Sequence, residues 1–167
     1  FDGNGHRITR LFIKRPDSDY IGLFGYSSAT ISDIGLMDVQ IAGNDYVGGL
    51  AGYGSGSGSI SNAYSKGTVS GVSSVGGLVG YNYVNSIESS FSAGSVSGTY
   101  YVGGLVGHHT SGGSIDNCYS TSMVTGGYGS NAIGGLVGGN YSGSITNSYR
   151  TGAVSGEGDV GGVVGAG

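Results

Sequence analysis

Charge is scarce in this chain. Only 10% of its 167 residues are charged, where soluble domains carry about 25%. The balance is a formal −4, which gives no electrostatic reason to expect nucleic acid or an anionic membrane as partner. No apolar run approaches the roughly 18 residues needed to span a bilayer as a helix. There is one proline and no tryptophan, and Cys118 is the single cysteine, so no intrachain disulfide can form. What is abundant is glycine, 39 residues, and tyrosine, 13 residues, within a 37% hydrophobic composition. Disorder usually couples low hydrophobicity with high net charge, so this composition points to a folded chain.

The glycines are ordered. "VGGLVG" stands at 75–80 and 102–107, with "VGGLAG" at 47–52, "IGGLVG" at 133–138, "VGGVVG" at 160–165 and a shortened "IGLFG" at 21–25. A second signature runs in phase with it: "SISNAYSKGTVSG" at 59–71, "SIESSFSAGSVSG" at 86–98, "SIDNCYSTSMVTG" at 114–126 and "SITNSYRTGAVSG" at 144–156. "TISDIGLMDVQIAG" at 30–43 is a diverged copy. Internal periods of this length mark repeat architectures. The chain divides into six units near 1–29, 30–58, 59–85, 86–113, 114–143 and 144–167.

Within "SISNAYSKGTV", Ile60, Asn62 and Tyr64 alternate with Ser61, Ala63 and Ser65, the period of a two-faced strand. No helical apolar stripe occurs, and frequent glycine costs a helix about 1 kcal/mol each. One unit cannot bury its own apolar side chains, whereas stacked units bury a continuous core. The expected fold is all-β: a parallel β-solenoid of about six stacked coils of roughly 28 residues, forming a single array. Stacking predicts ladders of Ile60, Ile87, Ile115 and Ile145, of Asn62, Asn117 and Asn147 (interrupted by Ser89), and of Tyr64, Phe91, Tyr119 and Tyr149. The aromatic ladder is expected to serve packing. Each glycine pair is expected at a tight corner or a close contact between layers, because glycine weakens a strand unless another backbone comes near.

The recurrent "VGGLVG", with "SI-x-N-x-Y" between copies, resembles the GLUG repeat of large bacterial cell-surface and secreted proteins. The opening "FDGNGHRITRLFIKRPDSDYIGLFGY" is similar to the segment that often leads into such arrays. The resemblance implies an extracellular or cell-surface, adhesin-like segment, and it brings no catalytic residues with it. The chain opens without Met or a signal peptide and stops inside a repeat, so a fragment of a longer protein is expected. Its partners would be neighbouring repeats or domains of that parent, with self-association or a surface glycan or protein as further contacts.

Candidate chemistry is sparse. "GEGDVG" at 156–161 fits a dinucleotide fingerprint, but that motif needs a following helix, and other copies read "GVSSVG" and "GTYYVG". Glu88 and Asp116 share one column, where stacking places carboxylates about 5 Å apart, the separation of retaining glycosidases. No basic cluster accompanies them, and solvated side chains are the expectation. His6, His108 and His109 form no metal-ligand pattern, and His108 reads as an exposed variable site. Neither metal nor cofactor is expected, and the segment is expected to be non-catalytic. Tyr53, Tyr81, Tyr83, Tyr100, Tyr101 and Tyr141 lie near turns and are the expected contact surface, since rigid aromatics offer contact area at low entropic cost. Asn140-Tyr141-Ser142 is a glycosylation sequon. The expected function is a stiff spacer and adhesive surface. A self-assembling filament is the alternative, followed by a glycan- or ice-binding solenoid, the last disfavoured because no Thr-x-Thr occurs.

Overall fold

The computed structural model describes every residue except Val84. Among the described residues there is no helix, and the chain winds as a parallel β-solenoid of about six coils. Six strands, one per coil, make one sheet: Phe24–Ser27, Ala51–Gly54, Val79–Tyr83, Val106–Thr110, Val137–Tyr141 and Val164–Ala166. The other fifteen wrap the remaining sides. Every pairing is parallel and joins equivalent positions of successive coils: Ile31 with Ile60, Ile60 with Ile87, Ile87 with Ile115, and Ile115 with Ile145.

The core is a set of columns running along the axis. Ile60, Ala63, Val69, Val75, Leu78 and Val79 of the third coil are all buried, as are Ile87, Val96, Val102, Leu105 and Val106 of the fourth. Ile145 and Val154 of the last coil continue two of these columns but are only half buried. A buried serine column, Ser65, Ser92 and Ser120, runs inside as well. Ser92 Oγ donates to the Gly104 carbonyl at 2.5 Å and lies 3.1 Å from Ser120 Oγ, so the Ser92 hydroxyl is satisfied within the dry interior.

Strict alternation does not hold along Ser59–Ser70. Asn62 has φ +49°, and Asp33, Ser89, Asn117 and Asn147 in the same column lie between +48° and +54°. A left-handed residue turns the chain, so the inward set reads Ile60, Ala63, Ser65, Val69, with a spacing of three across the corner. Asn and Asp tolerate this conformation better than other side chains, which explains their recurrence there. The asparagines therefore line an exposed corner rather than a buried amide stack. Asn62 Nδ2 donates to Asp33 Oδ1 at 3.1 Å, Asn117 Nδ2 to Ser89 Oγ at 3.1 Å, and Asn147 Nδ2 to Asp116 Oδ1 at 2.9 Å. The same phase shift puts Tyr64, Phe91, Tyr119 and Tyr149 outside. Their rings stack along the axis at 4.9, 4.7 and 5.2 Å, within 11° of parallel, and Tyr149 is 54% exposed. Lys66 Nζ lies 5.4 and 5.3 Å from the Tyr64 and Phe91 ring centres.

The glycine hexapeptide forms the sharpest edge of the solenoid. In the second coil Gly48 closes the strand Asp45–Gly48, Gly49 and Leu50 turn the chain, and Ala51–Gly54 returns in the six-stranded sheet. The two runs press together with no side chain between them. A Cβ on Gly48 would fall 2.7 Å from Gly80 N, and one on Gly80 would fall 2.5 Å from Val47 N and 2.6 Å from Gly52 O. The leucines set the pitch of this edge: Leu50 N donates to Leu78 O at 2.9 Å, Leu78 N to Leu105 O at 2.9 Å and Leu105 N to Leu136 O at 2.8 Å. Both a corner and a backbone-to-backbone contact are thus present at each copy.

Candidate functional site

The residues flanking that edge carry most of the chain's tyrosine. The position after the hexapeptide is Tyr26, Tyr53, Tyr81 and His108 in successive coils, paired in register along the six-stranded sheet. The position before it holds Tyr20, Tyr46 and Tyr101, each left-handed with φ +58°, +56° and +52°. That conformation swings their rings beside the first column. Tyr26, Tyr53 and Tyr81 stack face to face at 5.3 and 4.8 Å, within 9° of parallel. Tyr46 meets Tyr53 and Tyr81 edge-on, both at 5.6 Å, and Tyr20 stacks on Tyr46 at 5.0 Å. Tyr81 meets His108 edge-on at 4.7 Å, and Tyr101 stacks on His108 at 4.4 Å. Tyr141 closes the row against His108 and Tyr101 at 5.4 and 6.2 Å. The result is one continuous aromatic ridge.

Its geometry defines what it can offer. The faces of Tyr53 and Tyr81 are covered by neighbouring rings, so the ridge presents ring edges and phenolic hydroxyls. Burial foremost, then the neighbouring phenols, raises the Tyr53 and Tyr81 hydroxyls above the ordinary tyrosine value. They are therefore neutral hydrogen-bonding groups at physiological pH. Aromatic pairs contribute about 0.5–1.5 kcal/mol beyond their buried area, so the ridge also braces the thin edge beneath it. Of the six tyrosines expected at a contact surface, Tyr53, Tyr81, Tyr101 and Tyr141 join the ridge. Tyr83 and Tyr100, 42% and 46% exposed, have no ring partner among the described residues. Tyr20, Tyr26, Tyr46 and His108 complete it, and their signal was the recurrence of tyrosine just before and just after the hexapeptide.

His108 is accordingly not a free variable position: burial foremost, then adjacent His109, pushes its pKa down to about 4. His109 points inward and is fully buried, with Nδ1 3.0 Å from Asn82 Nδ2. Asn82 and Asn140 flank it in register. Asn82 Nδ2 also donates to the Asn85 carbonyl at 2.9 Å, and Asn140 Nδ2 to that of Gly143 at 3.0 Å. This polar column closes the turn after the six-stranded sheet, and it ties the sequon asparagine Asn140 into the fold.

The carboxylates of Glu88 and Asp116 stand in adjacent coils, paired in register. Asp116 Oδ1 accepts from Thr146 Oγ1 at 2.6 Å and Asn147 Nδ2 at 2.9 Å, and these two bonds hold its pKa below the usual value. It is engaged as a corner brace. Cys118 fills the slot of Ala63, Ser90 and Ser148, and burial pushes its thiol up to about 11. Among the described residues no three His, Cys, Asp or Glu side chains group in a way that could hold a metal ion.

Comparison with known proteins places these features in context. The GLUG motif matches at residues 43–70, 98–125 and 129–155. Halomucin of Haloquadratum walsbyi (strain DSM 16790 / HBSQ001) is 37% identical over 87 residues, which is 51% of this chain and 1% of halomucin. A crystal structure of a Bacteroides ovatus protein, provisionally named an immunoglobulin A1 protease, superposes with a TM-score of 0.71. That match covers 98% of this chain and 68% of the other at 21% identity, a likeness of fold alone.

Proposed function

The chain belongs to the GLUG-repeat proteins, and on that premise we propose that it serves a larger extracellular or cell-surface protein as a stiff, non-catalytic spacer and contact surface. The observation that carries this reading is the six-stranded parallel sheet that pairs each coil with the next from the first to the last. Load along such an array is shared by parallel backbone bonds on every side of each coil, and nearest-neighbour stacking makes stability additive. The similarity to a short stretch of halomucin supports a repeat segment within a much longer surface chain. The engagement of Asp116 by Thr146 and Asn147, and the burial of Cys118, support a structural rather than catalytic use of the reactive side chains.

The adhesive part of the reading falls on the aromatic ridge, whose hydroxyls and ring edges suit a partner presenting its own hydrogen-bonding surface. Pulling the segment from its ends tests the mechanical part. Each coil should release about 100 Å of contour, from about 28 residues at up to roughly 3.6 Å each. Extension without discrete events would overturn the spacer reading. Electron micrographs of fibres many segments long would favour filament assembly instead.

A further inference from the structure

Charge is segregated along the array. The first coil, residues 1–29, carries Arg7, Arg10, Lys14 and Arg15 against Asp2, Asp17 and Asp19, while residues 30–167 carry Lys66 and Arg150 against seven carboxylates. The net charges are therefore +1 and −5. Four of the six cations thus fall within nine residues, Arg7 and Lys14 on the strands Arg7–Thr9 and Phe12–Lys14 of the first coil and Arg10 and Arg15 just beyond the ends of those strands.

On that side the register builds a mixed surface. Phe12 lies beside Gln40 and Lys14 beside Ala42; one coil on, Gln40 lies beside Thr68 and Ala42 beside Ser70. Thr68 Oγ1 in turn accepts from Ser95 Oγ at 3.2 Å, so a row of short hydroxyls continues along the axis. Phe12 is 66% exposed and, unlike the ridge tyrosines, has no ring partner among the described residues. Open hollows flank it: one of about 370 Å³ between Phe12, Lys14, Gln40, Thr68 and Ser70, and one of about 430 Å³ between Arg10, Phe12, Asp38 and Gln40. Among the described residues, Asp38 is the one carboxylate lining either hollow.

We propose that this face binds a polyanionic carbohydrate, seating a sugar ring on Phe12 with its acidic groups toward Arg10, Lys14 and Arg15 and its hydroxyls toward Gln40, Thr68 and Ser70. An open aromatic face suits the apolar C–H face of a sugar, and the cations suit carboxylate or sulfate. An acidic polypeptide would satisfy the cations and the amide-and-hydroxyl row but offers no sugar ring to seat on Phe12. The proposal rests on the contact-surface reading above and gives it a ligand class and a second location, away from the aromatic ridge.

The test is binding of the 167-residue chain to immobilised polygalacturonate, heparin, neutral dextran and poly-glutamate, at about 50 and about 200 mM salt. Binding is expected to polygalacturonate, heparin or both, which separates uronate from sulfate as the recognised group, and to weaken at the higher salt. Dextran should not bind. The double variant Lys14→Gln/Arg15→Gln should lower affinity about tenfold through lost charge. Phe12→Ala should lower it about fivefold with the salt dependence unchanged, since the lost contact is uncharged. These side chains are exposed, so far-UV circular dichroism should stay that of the parent chain. Absence of binding to every polyanion overturns the proposal. So does equal binding to poly-glutamate with no effect of Phe12→Ala, which would assign the face to acidic polypeptides. Either failure leaves the mechanical result untouched, so it is distinguishable from failure of the spacer reading.

Discussion

Adding one methyl group at Gly103 is a direct test of how the edge is built. Gly103 pairs with Gly76 on one side and Gly134 on the other. A Cβ there would lie 2.6 Å from Gly138 N and 2.8 Å from Val106 C, with Val106 O closer still. These are backbone atoms tied into ladders, so no side chain can rotate away. Relief requires the two sheets to separate by the better part of an ångström at the point where they touch. Overpacking in a well-packed core usually costs about 1–3 kcal/mol. Since the clash here is with backbone on more than one side, Gly103→Ala should reach about 3 kcal/mol or more. Gly127→Ala is the control: its nearest neighbours would be Gly98 O at 3.6 Å and Thr99 Oγ1 at 3.7 Å, an ordinary contact. It should be neutral within about 0.5 kcal/mol or slightly stabilising, since alanine narrows the unfolded ensemble. Urea unfolding compares the two, and amide exchange should localise the Gly103 effect to the coils on either side. A Gly103→Ala midpoint equal to that of the parent chain would refute the backbone-contact account of the hexapeptide.

Other residues test other parts of the structure. Asn117 has φ +51°, so Asn117→Val should destabilise by about 1–3 kcal/mol, whereas Asn117→Gly should lose much less; equal losses in thermal unfolding would count against the left-handed corner. The Cys118 thiol, pushed up to about 11 by burial, should resist a disulfide reagent at pH 8 and react once the chain is unfolded in guanidinium; rapid reaction in the folded state would contradict its burial. His108, held down to about 4, stays neutral in the folded chain while the unfolded chain takes up a proton near 6.5. Its contribution to stability is therefore complete above pH 6.5 and declines as pH falls from there toward 4. His108→Tyr, which restores the residue its column neighbours carry, should make that decline shallower, the remainder coming from buried His109, whose pKa burial also lowers. An NMR titration placing the His108 midpoint near 6.5 would refute the reading.

The aromatic ridge shows how far a site can be read from residues alone. Tyr53, Tyr81, Tyr101 and Tyr141 were legible as exposed turn tyrosines, and the repeat places Tyr53 and Tyr81 in one column, yet nothing in the spacing joined Tyr101 and Tyr141 to them. Their contact depends on two features of the folded chain: the left-handed backbone at Tyr46 and Tyr101, and the thinness of the edge that brings both flanks of the hexapeptide to the same side. Where Ser74 replaces tyrosine, Tyr46 reaches along the axis to Tyr81, while Tyr101 stacks on His108 across its own hexapeptide. For the same reason His108, which looked like an isolated replacement, is a member of the row. Tyr100 looks alike in sequence and falls outside it, because its column runs through Ser73 and Asn131; Tyr83 shares the column of Tyr141 but is separated from it by Thr110.

The repeat by itself determined the architecture. Equivalent residues recur about 28 apart, no unit can close a core alone, and strand periodicity leaves stacking in parallel register as the arrangement that pairs every backbone group. The isoleucine and valine columns follow from that, since a column repeated in every coil has only the core in which to hide its apolar surface. Tertiary structure alone decided which way the intervening residues face. A single left-handed residue at Asn62 and its equivalents exchanges inside for outside, sending Tyr64 to the surface and Ser65 into the interior. That exchange is invisible to a period-two reading, because φ at one position is set by the turn the whole coil must make to meet its neighbour.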